Sequence, residues 1–213
     1  MFFSKIQLRP QAGSHLVREL ERDQYRLHQV LWRLFPQSQQ RDFLFRHIEQ
    51  AGPPGFYLVS QREPICDKGL WQIQSKPYQP QLEPDQRLAF SLLANPVVSR
   101  RDAESGKAAR HDIVLDAHRQ QPDVPRFELQ QTVGRDWLNA RAEQHGFSVT
   151  ALRVDSYQQH RLRGKGGRPI RFSTLTFEGE LQVTEPDRLL AALAKGIGPA
   201  KAFGCGLLLL RRL

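Results

Sequence analysis

The strongest constraint on the fold is the order of candidate strands and helices, which occurs twice along the chain. In the first half, an alternating apolar–polar pattern at residues 2–9 indicates a half-buried strand, and an amphipathic helix pattern follows over 14–35, where Pro36 stops it. Two further strand patterns flank the Gly- and Pro-rich turn at 50–55. After an irregular segment with a short helix or strand, the run at 86–96 indicates a closing strand.

The second half repeats this order. The run HDIVL at 111–115 indicates a strand, and a helix pattern follows, with Thr132 as its predicted N-cap and Gly146 as its stop. Two long strand patterns flank GKGG, a sequence typical of a hairpin turn. A further helix, which Thr184 is predicted to cap, precedes an apolar final strand.

The repeated order predicts an α+β fold of two tandem ferredoxin-like units, each with the arrangement βαββαβ. The polar, turn-rich stretch SRRDAESGKAAR places the division after residue 95, which gives an N-terminal unit of 1–95 and a C-terminal unit of 96–213. At 213 residues the chain is long enough for two such units. They share the order of their elements without residue-by-residue identity.

The charge balance indicates a polyanionic partner. The chain has 31 Lys and Arg against 22 Asp and Glu, a formal net charge of +9. Nucleic acid is the simplest such partner, and a basic protein without that function is the alternative. Cys66 and Cys205 stand far apart and match no metal or redox spacing, so we expect no metal and no cofactor. Without a signal peptide or a run of ~18 apolar residues, the expected location is the cytoplasm.

One histidine and one tyrosine stand out on the first helix pattern. Leu27, Leu31 and Leu34 form an apolar stripe at helical spacing, and His28 lies about 100° around the helix from it. Tyr25 and His28 are three residues apart, so both side chains can reach one ligand atom. A histidine can transfer protons near neutral pH and a tyrosine can donate to a phosphate. Packing beside the core is the common structural explanation for such a pair.

A cluster of basic residues surrounds the hairpin of the second half, and no acidic residue lies between Asp155 and Glu178. A two-stranded ribbon with guanidinium groups can enter a nucleic-acid groove or clamp a phosphate backbone. An RNA duplex would offer it mainly shape and phosphates. A solvated hairpin whose charges serve solubility is the alternative. The predicted RNA-binding residues of this hairpin are Arg161, Arg163, Lys165, Arg168 and Arg171.

The glycine-rich run GIGPAKAFGCG has the composition of a phosphate-binding loop. It is not a Walker A motif, because Ala200 precedes Lys201 and no Ser or Thr follows, and it is not the dinucleotide fingerprint, because Lys201 stands where the third Gly would be. Glycines around one lysine still let a backbone approach a phosphate closely. We therefore predict that Gly198 and Lys201 contact RNA, whereas a simple connection between helix and sheet is the structural alternative.

With two ferredoxin-like halves before it, the run GIGPAKAFGCGLLLL resembles the RAMP superfamily of CRISPR-associated RNA-binding proteins. The segments YRLHQVLWRLFP and RDFLFR, with LLANP before the second half, narrow the resemblance to the CasE family of CRISPR repeat endoribonucleases. The similarity runs in order through most of the chain. Residues 63–84 and 100–130 offer little to match.

This resemblance implies a metal-independent endoribonuclease that cuts precursor CRISPR RNA at the base of a repeat stem-loop and stays on the hairpin as a Cascade subunit. His28 matches the family's catalytic histidine and Tyr25 its catalytic tyrosine, and the basic hairpin corresponds to the ribbon that engages the RNA stem. The expected partners are the repeat stem-loop and other Cascade subunits, with no membrane. The protein is expected to be a monomer when alone.

Without an aspartate cluster suited to two metal ions, the substrate's own 2′-OH is the expected nucleophile, which gives a 2′,3′-cyclic phosphate and a 5′-OH. His28 either deprotonates the 2′-OH or protonates the leaving 5′-oxygen, and Tyr25 either orients the 2′-OH or binds a non-bridging oxygen. Two other classes stay open. One is a non-cleaving RNA-binding scaffold, and the other is a ferredoxin-like small-molecule or regulatory domain.

Overall fold

Alternating buried residues build the first sheet from strands that are remote in sequence. In strand β1 (Phe2–Leu8), Ser4, Ile6 and Leu8 are buried and the residues between them are partly exposed. The computed structural model describes residues 1–9, 24–36, 41–49, 52–65, 69–101, 106, 108–163 and 169–213. The antiparallel sheet has the order β2-β3-β1-β4, where the further strands are β2 (Phe43–Ile48), β3 (Gly55–Ser60) and β4 (Trp71–Pro77).

Helix α1 (Gln24–Trp32) covers one face of this sheet. Leu27, Leu31 and the following Leu34 are buried, as the helical spacing predicts, and they join a core cluster with Ile6 of β1. Each of these side chains is at most 7% exposed, so the apolar stripe anchors the helix to the sheet.

The second sheet contains the longest strands of the molecule. Its order is β10-β5-β9-β8, and all neighbours are antiparallel. The strands are β5 (Arg87–Ala94), β8 (Phe147–Arg163), β9 (Pro169–Val183) and β10 (Leu208–Arg212). A separate two-stranded ribbon pairs β6 (Val97–Arg101) with β7 (Ala108–Asp112).

Three helices accompany the second sheet: α2 (Ile113–Gln120), α3 (Arg126–Gln144) and α4 (Pro186–Lys195). Trp137 of α3 stacks on Phe177 of β9 with a centroid separation of 5.7 Å, which fixes α3 against one face of the sheet. In both sheets the chain's first and third strands lie at the centre and its second and fourth at the edges, which is the ferredoxin-like order. The predicted α+β class is confirmed.

The strand predicted at 86–96 belongs to the second sheet rather than the first. The run at 86–96 forms β5, which pairs with β9 and β10 in the second sheet, and β4 completes the first sheet instead. The chain therefore passes from the first sheet to the second between Pro77 and Arg87, whereas the polar stretch SRRDAESGKAAR predicts a division after residue 95. Edge and central strands have similar apolar patterns, and only long-range pairing decides to which sheet a strand belongs.

The run HDIVL is not one strand, because β7 ends within it. The Asp112 carboxylate accepts a hydrogen bond from the Leu115 N–H at 2.8 Å and so caps α2. Two predicted caps are also wrong. Thr132 lies inside α3, which begins six residues earlier, and the N-cap of α4 is Glu185 rather than Thr184.

The two sheets touch through a small apolar cluster of Leu44, Val59 and Leu207. Beside it, the partly buried Arg46 of β2 donates a hydrogen bond from Nη1 to the Ser91 hydroxyl of β5 at 2.8 Å. Among the helices that the structure describes, none combines the length and the apolar character that crossing a membrane requires.

Candidate functional site

His28 lies at the edge of the apolar face of α1, outside the buried stripe. Its ring contacts Trp32 edge-on at a centroid distance of 5.5 Å and lies 6.3 Å from the ring of Phe43. The side chain is partly exposed, yet its Nε2 is buried and has no hydrogen-bond partner among the described residues. A buried polar atom without a partner is costly, so His28 carries an unsatisfied nitrogen at the margin of the core.

The surroundings of His28 favour its neutral form. Burial lowers the pKa of His28, and the nearby positive charge of Arg41 lowers it further. Arg41 precedes β2, so the sheet holds its guanidinium group near the helix. An imidazole that stays neutral near pH 7 can accept a proton.

Tyr25 lies in the same helix, one turn before His28. The backbone spacing that the sequence predicted is therefore present, while the position of the Tyr25 side chain lies outside the described residues.

The glycine-rich run joins α4 to β10 and passes beside α1. Its 3₁₀ turn, Lys201–Phe203, packs against that helix, which brings Lys201 and His28 into one region. Gly206 has a φ of +90°, and a Cβ there would lie 2.8 Å from the Ile197 carbonyl oxygen. Only glycine fits this position without strain, and its backbone shape sets the path of the loop.

Lys201 faces other cations rather than carboxylates. Burial lowers the pKa of the Lys201 ammonium group, and Arg41 lowers it further. Both side chains line a groove whose far wall comes from the C-terminal end of α3 and from the ribbon β6–β7. Gly198 lies in the same wall as Lys201. Arg41 thus lies close enough to two predicted residues, His28 and Lys201, to lower the pKa of each.

The described part of the basic hairpin carries two opposed arginines. Arg161 and Arg171 are directly paired across β8 and β9, and both are exposed. Paired residues project from the same face of an antiparallel sheet, so two positive charges stand side by side. The backbone of Arg163 pairs with Pro169 at the last described position of the hairpin, whereas Lys165 and Arg168 lie outside the described residues.

On the other face of the hairpin, three rings form a stack. His160 lies 4.7 Å from Phe172, and Phe172 lies 4.9 Å from Phe203 of the 3₁₀ turn, with interplanar angles of about 20°. The stack connects the hairpin to the glycine-rich run, although the sequence separates Phe172 from Phe203 by 31 positions.

Sequence reasoning missed most of the groove. Its cationic residues come from four separate segments, so no local motif predicts it. The residues that were not predicted are Arg41, Arg110, Arg141 and His145. The one available signal is in α3, where Arg141 and His145 are spaced four residues apart and therefore share a helix face. Among the described residues, no cluster of His, Cys, Asp or Glu is arranged to hold a metal ion.

Two ferredoxin-like sheets that share a glycine-rich loop and a cationic groove place the chain among the double ferredoxin-like proteins. More narrowly, the chain belongs to the CRISPR-associated protein family, because the family model described as CRISPR associated protein matches residues 1–212.

Two characterised relatives are similar along nearly their whole length. The CRISPR-associated endoribonuclease Cse3 of Thermus thermophilus is 30% identical over 229 aligned positions, which cover 98% of each chain. The CRISPR system Cascade subunit CasE of Escherichia coli is 31% identical over 198 positions, which cover 91% of this chain and 94% of the relative.

Solved structures agree with the fold. A structure of the CRISPR endoribonuclease Cse3 bound to a 19-nucleotide RNA has a TM-score of 0.75 at 28% identity, with 99% of this chain and 100% of the other covered. The crystal structure of Cas6e from Escherichia coli has a TM-score of 0.73 at 27% identity, with both chains fully covered. The predicted family is confirmed.

Proposed function

We propose that the protein is an endoribonuclease that cleaves precursor CRISPR RNA in the repeat stem-loop and remains on the product hairpin as a subunit of a Cascade complex. The observation that carries this proposal is His28, a partly exposed histidine outside the buried stripe of α1 that lies near the charge of Arg41. The relatives support the substrate and the assembly, since one is named an endoribonuclease and the other a Cascade subunit.

The proposed reaction uses the 2′-OH of the substrate as the nucleophile. His28 accepts the 2′-OH proton on a ring nitrogen, the 2′-oxygen bonds to the adjacent phosphorus, and the bond from phosphorus to the 5′-oxygen breaks. The leaving oxygen takes a proton from solvent, so the products end in a 2′,3′-cyclic phosphate and a 5′-OH. The lowered pKa of His28 favours the general-base role over the acid role, because burial and Arg41 keep the ring neutral before reaction.

Fixed positive charges can stabilise the transition state without a metal ion. Negative charge grows on the phosphoryl oxygens during attack, and donors that are already in place stabilise it at little cost of reorganisation. Arg41 and Lys201 stand near His28 and lack carboxylate partners among the described residues, which supports this role. We assign Tyr25 to the 2′-OH or to a non-bridging oxygen, because it precedes His28 by one helical turn.

The hairpin is proposed to bind the RNA stem. The exposed pair Arg161 and Arg171 presents two guanidinium groups on one face, which suits two phosphates of a duplex. Arg163, Lys165 and Arg168 continue the same basic sequence toward the hairpin turn. Gly198 is proposed to let the RNA backbone approach the glycine-rich loop closely.

Incubation of the pure protein with the repeat RNA of its cognate CRISPR array, in EDTA, tests the reaction. We expect full cleavage, a cyclic phosphate at the new 3′ end and a rate loss of ~10²–10⁴ in His28→Ala, with RNA affinity nearly unchanged. His118→Ala is the matched control, because His118 Nδ1 is also buried without a described partner but belongs to α2. A strict need for Mg²⁺, or wild-type cleavage by His28→Ala, would refute the proposed mechanism. Tight binding without cleavage by the wild-type protein would favour the scaffold function.

A further inference from the structure

The groove between the two halves of the molecule combines basic side chains with uncharged residues and the glycine-rich loop. Its volume is about 580 Å³, and no Asp or Glu of the described chain lines it. The positively charged or titratable side chains that face it are Arg41, Arg110, Arg141, His145 and Lys201.

These cations are not neutralised by the protein, unlike many other arginines of the chain. Arg62, Arg100 and Arg188, for example, pair with carboxylates at 2.7, 2.6 and 3.0 Å. In contrast, none of the groove's basic residues forms an ion pair with a carboxylate in the described part of the chain. An unpaired cluster of like charges carries a local positive potential that attracts an anion.

Mutual repulsion within the groove supports the same conclusion. Burial lowers the pKa of His145, and the neighbouring charges of Arg141 and Lys201 lower it further. Lys201 is in turn affected by Arg41, so the electrostatic influence is continuous from His28 to the end of α3. A bound polyanion would relieve this repulsion along its whole length.

The wall formed by the glycine-rich loop adds backbone donors. The N–H groups of Gly198 and Ala200 donate no hydrogen bond to any described acceptor, and both residues have positive φ, +78° and +58°. Ala200 adopts this conformation despite its Cβ, which places local strain at the groove. Free amides in such a turn suit phosphate oxygens.

The groove and the basic hairpin open on the same side of the second sheet. In β9, Arg171 and Phe177 are six residues apart without an irregularity in that strand, so their side chains project from the same face. Phe177 stacks on Trp137 of α3, and Arg141, one turn further along α3, lines the groove. An RNA stem on the hairpin therefore has a cationic path toward His28.

We infer that this groove, with Arg110, Arg141 and His145 on its outer wall, binds the phosphates of the single-stranded RNA that leaves the base of the stem at the cleaved bond. The inference rests on the proposed function for the location of the stem and the cleaved bond. A concave groove whose Arg41 also influences His28 suits a flexible single strand, whereas the exposed ribbon at Arg161 and Arg171 suits a duplex.

Two RNA probes distinguish binding of this single strand from binding of the stem. One is the cognate repeat stem-loop followed by its downstream single-stranded segment, with a 2′-deoxy nucleotide at the cleaved position to prevent reaction. The other probe is the same stem-loop without the downstream segment, so it ends at the cleaved position. Affinities are measured across a salt series for wild type, for Arg110→Gln with Arg141→Gln, and for a control double variant, Arg153→Gln with Arg188→Gln, which loses equal charge from residues that pair with carboxylates.

For the probe with the downstream segment, Arg110→Gln with Arg141→Gln should lower the slope of log affinity against log salt by about 1.4, at ~0.7 per single-strand contact. If the variants converge at 1 M salt, this corresponds to roughly 25-fold weaker binding at 0.1 M salt. For the probe without the downstream segment, this double variant should bind like wild type, and the control should match wild type on both. Equal loss on both probes would assign the groove to the stem and overturn the inference, as would no loss on either.

The single variant Arg110→Gln keeps the test decisive if the double variant unfolds, because Arg141 also lies over the Trp137 ring at 5.5 Å. Arg110→Gln should show about half of the slope change, and only on the probe with the downstream segment. An equal change on the two probes would again overturn the inference. Cleavage of unmodified RNA by the wild-type protein is measured separately. If the wild type does not cleave but the probe-dependent loss persists, the groove assignment stands and the endoribonuclease proposal fails.

Discussion

Neutralising the opposed arginines of the hairpin should weaken stem binding by an amount that follows from their number. Arg161 and Arg171 are exposed, directly paired and on the same face, so each can neutralise one phosphate of a duplex. Each duplex contact contributes about 0.9 to the slope of log affinity against log salt, by the value for B-form DNA. The variant Arg161→Gln with Arg171→Gln should therefore lose about 1.8 from the slope.

If the variants converge at 1 M salt, this slope change corresponds to roughly 60-fold weaker binding at 0.1 M, or about 2.5 kcal/mol. The fold should not suffer, because like charges directly opposite on a sheet are unfavourable and the change removes them. Cleavage at saturating protein should change much less than affinity, since His28 and Arg41 are untouched.

Fluorescence anisotropy of a labelled, 2′-deoxy-blocked stem-loop across a salt series measures the slope, and single-turnover cleavage of the unmodified RNA at saturating protein measures the chemical step. An unstructured RNA of equal length and charge is the control ligand and should bind more weakly. The paired arginines Arg153 and Arg188 provide the control variant. A slope identical to wild type, or equal affinity for the two RNAs, would place the stem-binding surface elsewhere.

The remaining predictions concern stability. The pKa values of His28, His145 and His160 are all lowered, chiefly by burial, so the unfolded chain binds more protons than the folded one below about pH 6.5. The free energy of unfolding, measured with urea, should therefore fall as the pH decreases through that range. In His28→Ala this decrease should be shallower, and a pH dependence equal to that of wild type would contradict the prediction. Gly206→Ala should destabilise the protein by about 1–3 kcal/mol, because φ is +90° and the new Cβ would meet the Ile197 carbonyl, and a wild-type melting temperature would refute it.

Local sequence patterns predicted the positions of helices and strands better than they predicted which strands pair. The apolar stripe of α1 could be read from spacing, and with it the position of His28 outside the buried face. The strand at 86–96 was recognised from its apolar run, but it was assigned to the wrong sheet. Its alternation fits either sheet equally well, because membership depends on pairing with β9 and β10, which begin more than 80 residues later.

The predictions for the short apolar run HDIVL and for the helix caps were wrong for a related reason. HDIVL has the composition of a strand, yet Asp112 can cap a helix and does so here, which converts the last three residues to α2. The predicted start of α3 at Thr132 ignored six preceding residues whose helical pattern is weak, since only Leu129 and Gln130 among them are buried. In both cases a polar residue offered two local hydrogen-bonding roles, and tertiary packing selected one of them.

The site was partly predictable because its residues differ in how they are positioned. His28 belongs to one helix, so periodicity alone shows which way it faces. Arg110 and His145 reach the groove from a ribbon and a helix end of the second half, and Arg41, before a strand of the first sheet, joins them only after the two sheets have docked.

The ring stack explains how parts from different segments keep a fixed arrangement. His160 and Phe172 belong to the hairpin, and Phe203 belongs to the turn that also carries Lys201 and packs against α1. If the hairpin binds the stem as proposed, the stacked rings connect that stem to the loop that packs against α1. Because these contacts exist in the protein without RNA, little ordering is needed when the substrate arrives, and more of the binding energy remains for alignment of the 2′-OH with the phosphorus. This connection is the physical reason to expect that stem recognition and cleavage act on one register of the RNA.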